Sequence, residues 1–208
     1  PAGPSGAMLA SIDHSSDLVF KYIVSPGGRN LNSETCDQND ADTAFANCPD
    51  MARASMSISG VTNDETIEMK GEGTLRIGAE SGEPKSVDGG GGFVHTVGGE
   101  SFIGTWQAKR LLMFETYGPG DPARLAERFP GVDTSAWRTG RVLILVHLMD
   151  VAGTIDADAI LEMGCRLPGN PGVSGTVEGI RLLISGGLNF NEPADPRGTL
   201  FIDMNGSS

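Results

Sequence analysis

The chain has 208 residues, 38% of them apolar, which is enough for a sizeable core, but its 30 glycines interrupt that core at short intervals. With 27 acidic against 15 basic residues it carries a formal charge of −12, which argues against nucleic-acid binding and against docking on anionic membranes, since both need clustered Lys and Arg. The longest apolar run, Val142-Leu143-Ile144-Leu145-Val146, suits a strand and falls far short of a membrane helix, so no membrane insertion is expected.

Residues 1–17 carry neither an initiator Met nor a signal-peptide pattern. They are expected to be a disordered lead-in, with Pro1–Met8 either native or an expression remnant. A single β domain is expected over residues 18–204. It begins with Leu18–Val24, whose β-branched and aromatic residues read as a strand, stopped by Ser25-Pro26-Gly27-Gly28. Set apart in this way, the strand is a candidate to pair with the open edge of a neighbouring copy, which makes a homo-oligomer one expectation.

Cys36 and Cys48 follow, with Asp37, Asn39, Asp40 and Asp42 between them. The stretch lacks the Gly and the terminal Glu of an EF-hand loop, and two cysteines alone do not make a structural zinc site. A disulfide closing a loop of about a dozen residues fits better, and would stabilise the fold by roughly 2–3 kcal/mol. It implies an oxidising compartment, extracellular or periplasmic. Calcium on Asp37, Asn39, Asp40 and Asp42 is the alternative use of the loop; no other cofactor is expected.

Residues 55–118 read as a meander. Ser55–Ser59, Thr66–Lys70 and Gly73–Gly78 alternate polar and apolar residues, with a turn expected at Val61–Glu65. Gly89–Gly92 introduces the strand Phe93–Val97, and Gly98-Gly99 is a two-residue hairpin signal. The partner strand from Ser101 is expected to run on to Tyr117 with a bulge near Lys109-Arg110. Asp121 and Pro122 have the residue types of an N-cap and first helical position, so one short helix is expected over Pro122–Phe129.

Arg141–Met149 is nearly all apolar and is expected to be a central strand buried on both faces. Ala159–Leu167, Gly179–Ser185 and Thr199–Asp203 complete the set. The fold expected is all-β: an antiparallel β-sandwich or closed β-barrel of about ten strands with one short helix.

Candidate site residues are few. His95 alternates with Phe93 and Val97, His147 with Leu145 and Met149, and Glu115 with Met113 and Tyr117. If both histidines faced one cavity beside Glu115, they would suit a divalent metal or acid–base chemistry, and Tyr117 and Arg181 would be further polar groups for such a pocket. Each alternation equally suits a histidine in the core. Cys165 shares a strand face with Leu161 and Met163 and reads as a buried, inert thiol. No Gly-x-Ser-x-Gly elbow or phosphate-cradling loop is present. These features fit a secreted β-rich binding or assembly module for a small molecule or protein, with exposed apolar patches or long ordered loops, Pro119–Arg141 and Arg166–Val177, as its working parts. The alternative is a cofactor-free or metal-dependent small-barrel enzyme, cyclase- or isomerase-like, using His95, His147 and Glu115.

Overall fold

The structure, a computed structural model, describes residues 17–24, 52–58, 61–193 and 199–205. Pro1–Met8 and the whole Cys36–Cys48 loop, with Asp37, Asn39, Asp40 and Asp42, lie outside the described residues. The elements in chain order are β1 (Leu18–Val24), β2 (Ala52–Ile58), β3 (Val61–Ile77), β4 (Pro84–Val97), β5 (Glu100–Gly118), α1 (Pro122–Arg128), β6 (Trp137–Asp150), β7 (Asp156–Cys165), β8 (Gly179–Ile184), β9 (Asn189–Phe190), β10 (Glu192–Pro193) and β11 (Thr199–Asp203). These strands form one antiparallel sheet, in line with the all-β class expected from the sequence.

Six strands close into a ring. β1 pairs with β3 and β11, β11 with β6, and β4 and β5 complete the circuit between β3 and β6. Two wings extend from it. β2 continues from the first half of β3, while β7 and β8 continue from β6. β9 pairs with β8 and β10 with β2, so residues 189–193 tie one wing to the other. The expectation that β1 offers an edge to a neighbouring copy does not hold, because both its edges are taken within the chain.

β3 is one 17-residue strand where two strands and a turn over Val61–Glu65 were expected. Gly71 and Gly73 do not break it, because they lie opposite Gly91 and Gly89 of β4. At this point β3 exchanges β2 for β1 as its partner. A Cβ on Gly91 would sit 1.9 Å from Lys70 O, so only glycine allows the two backbones to approach so closely. The Trp106 indole fills the space beside Gly71 and donates to Lys70 O at 2.9 Å. Gly98 and Gly99 both adopt positive φ, as a tight β4–β5 hairpin requires. The ladder shifts between Ala108 and Arg110, where the bulge was expected.

The core centres on Phe20, Phe114 and Phe201, with ring centroids 4.7 and 5.3 Å apart along the chain of contacts. Tyr22 is also fully buried, and its hydroxyl donates to Asp88 O at 3.0 Å. Strand β6 corrects a second expectation. Val142, Ile144, Val146 and Leu148 are buried, but Arg141, Leu143, Leu145 and His147 are only partly covered and Met149 is exposed. The strand therefore has one core face and one outer face, even though both faces are largely apolar in sequence.

Candidate binding surface

Strand alternation separates the residues that the sequence offered as one site. His95 points inward from β4, and its Nε2 lies 2.7 Å from Glu65 Oε1, with Phe190 edge-on to its ring and Phe102 tilted beside it. His147 points outward from β6. Its Nδ1 lies 3.0 Å from Asp158 and its Nε2 3.2 Å from Asp156, so both ring nitrogens are engaged by carboxylates of β7. Glu115 also faces outward, and accepts a hydrogen bond from the Tyr117 hydroxyl at 2.7 Å. The two histidines thus lie on opposite sides of the sheet, and they do not share a cavity with Glu115. Among the described residues no group of three or more His, Cys, Asp and Glu side chains is placed to hold a metal ion.

What does converge is the outer face of β5–β8. Arg141 donates to Glu162 at 2.8 Å, and Arg181 lies 3.6 Å from the same carboxylate oxygen. Arg141 is the cross-strand neighbour of Glu115, so Tyr117, Glu115, Arg141, Glu162 and Arg181 run as a polar band across four strands. Burial, followed by the hydrogen bond to Glu115, holds the Tyr117 hydroxyl above its ordinary pKa, which keeps it a donor. Of the groups named from the sequence for one pocket, Glu115 and Tyr117 touch on β5, while Arg181 stands at the far end of the band on β8.

Beside this band lies an apolar row. Leu145 sits opposite Ile160, and Ile160 opposite Leu183, on adjacent strands. Further along the same face are Ile103 and Met149, with Val151 in the turn after β6. Ile103 is 40%, Met149 51%, Val151 78% and Leu183 48% exposed. Scattered single apolar residues need no explanation, but these lie together as a cross-strand row with an apolar corner on one face of the sheet.

The polar end of the face is built by the two loops picked out from the sequence. Asp121 caps α1 by accepting from Ala123 and Arg124 N–H groups, as its position before Pro122 predicts. Residues 119–121 then pack on 167–170. Asp121 N–H donates to Pro168 O at 2.7 Å, and the Asn170 amide donates to Tyr117 O and Pro119 O, both at 2.9 Å. Thr139, fully buried, donates to Asn170 O and accepts from Leu167 N–H. Glu178 closes this loop at its far end by accepting from Arg166 N–H. Cys165 beneath it is buried, and its thiol is held well above the ordinary range by burial and then by the Glu178 charge, as expected of an inert thiol.

Sequence reasoning missed Glu65, because that stretch read as a turn, and Asp156 and Asp158, because β7 starts three residues earlier than expected. The outward parity of Asp156, Asp158 and Ile160 was the available signal. Neither a family model, nor a curated protein, nor a solved structure matches this chain.

Proposed function

We propose that this chain is a binding or assembly module whose working surface is the outer face of β5–β8, and that it acts in an extracellular or periplasmic compartment. The observation that carries the proposal is the apolar row Leu145–Ile160–Leu183 on an outer face that also bears exposed Ile103, Met149 and Val151. The ordered loop pair at its polar end supports the same role, since loops fixed on a rigid scaffold commonly carry binding function. The enzyme alternative needed His95, His147 and Glu115 in one cavity, and their separation removes its support.

The test is binding of an anilinonaphthalene sulfonate dye at chain concentrations of about 1 μM or below, where weak self-association is negligible. Wild type is expected to bind the dye, and the variant Ile103→Ser/Met149→Ser/Leu183→Ser to bind several-fold less with an unchanged melting temperature. A folded wild type that leaves the dye unbound overturns the proposal. The compartment rests on the Cys36–Cys48 spacing alone. Its check is intact mass under alkylation with and without reductant, where two free thiols in the native protein would count against it. Calcium in stoichiometric amount by elemental analysis of the same sample would assign the intervening carboxylates a ligand role.

A further inference from the structure

We infer that the partner on this face is a second copy of the chain, docked face to face about a two-fold axis that runs parallel to the strands between β6 and β7. The inference rests on the outer face being the working surface, and adds its occupant. The evidence is how charge divides between the two neighbouring strands. The outward residues of β6 are Arg141, Leu143, Leu145, His147 and Met149, which include no acid. Those of β7 are Asp156, Asp158, Ile160 and Glu162, which include no base. The register sets Leu145 beside Ile160 and His147 beside Asp158.

Rotation about an axis between these strands lays β6 of one copy on β7 of the other without changing height along the strand. Leu145 then meets Ile160, His147 meets Asp158, and Arg141 reaches Glu162, each contact occurring twice, as an isologous interface requires. The other in-plane axis, across the strands through Leu145 and Ile160, would place Asp158 over Glu162 and is disfavoured by like charge. Charge pattern therefore selects one arrangement. Arg110 and Arg181, on the flanking strands, lie at the rim.

The size of the face sets the strength. Four strands span about 19 Å and residues 141–149 of β6 about 27 Å, or about 500 Å² per copy. A total near 1,000 Å² is the lower bound for a specific interface, so a weak dissociation constant of about 100 μM is expected, with monomer predominating at about 1 μM and dimer populated toward about 1 mM.

Sedimentation velocity from about 1 μM to about 1 mM tests this. The wild-type weight-average mass should rise from 21.7 kDa toward twice that value. Asp156→Lys/Asp158→Lys, both at exposed positions, should weaken association about tenfold or more while the monomer keeps the wild-type far-ultraviolet circular dichroism. Because the axis pairs residue 147 with residue 158, His147→Asp and Asp158→Lys chains should each associate poorly alone and recover when mixed. A wild type that stays monomeric throughout overturns the second copy while leaving dye binding to judge the face. A dimer indifferent to the lysine substitutions, or mixed chains that do not recover, places self-association elsewhere and overturns it equally.

Discussion

Burial pushes the Glu178 carboxyl up to about 8, against the pull of the Arg166 N–H that donates to it and of the Arg166 and Arg128 charges. In the unfolded chain the same group titrates near 4.5. Between these values the folded protein holds a proton that the unfolded chain has released. Stability is therefore full below about 4.5 and declines as pH rises through the window toward 8. Glutamine keeps an oxygen for Arg166 N–H and has no charge to desolvate. Glu178→Gln should thus flatten this decline and stabilise the protein at pH 8 by roughly 1–2 kcal/mol, after allowing for partial contact with water. Urea melts at pH 5, 6.5 and 8 provide the check, and parallel curves for the two proteins would count against it. Nothing in the sequence around Val177-Glu178-Gly179 announces this behaviour, because it arises from the loop folding back onto Arg166. His95 differs in this respect: alternation with Phe93 was enough to place it inward, but its partner Glu65 was hidden in an expected turn.

At the scale of elements, the sequence was informative wherever a single local cause determines the structure. Asp121-Pro122 marks the helix start, Gly98-Gly99 the hairpin, and Leu167-Pro168-Gly169-Asn170 the loop, because each follows from backbone preferences of the residues themselves. It misled where glycine serves packing between strands: a break read between Lys70 and Gly73, yet Gly71 and Gly73 let β3 run against β4 and exchange partners. It also misled on β6, whose outward Leu143 and Leu145 resemble core residues until the sheet shows which face is filled. The docking of the two loops on each other was beyond local patterns, since Asn170 meets Tyr117 across more than fifty positions of chain. That contact yields a prediction. Asn170→Ala removes two donated hydrogen bonds, to Tyr117 O and Pro119 O, and should lower stability by about 1–3 kcal/mol. Amide exchange should quicken at Asp121 and Leu167 while the β5–β6 ladder stays protected. Uniformly faster exchange over the whole sheet would show that the loop pair is not a separable unit.

For the whole molecule, the ring matters more than any single hairpin. It is closed by β1 and β11, which stand near opposite ends of the described chain: Tyr22 pairs with Phe201, and Phe201 with Arg138 of β6. Closing such a distant pair carries a large loop entropy, which is offset only when the surrounding core forms at the same time. Phe201 sits at that closure, fully buried, with its ring edge-on to Phe114. Phe201→Ala should therefore lower stability by about 3–5 kcal/mol, the usual range for a buried aromatic truncated to a methyl. The form of the transition is as informative as its midpoint. Trp106 reports from the close, glycine-lined approach of β3 and β4 and Trp137 from the start of β6 beside β11, so tryptophan fluorescence samples both regions of the ring. If the ring is one cooperative unit, fluorescence and far-ultraviolet circular dichroism should give coincident denaturation curves in both wild type and variant. If β1 and β11 instead dock onto an otherwise stable sheet, the variant's curves should separate, with fluorescence changing first and the strand signal persisting.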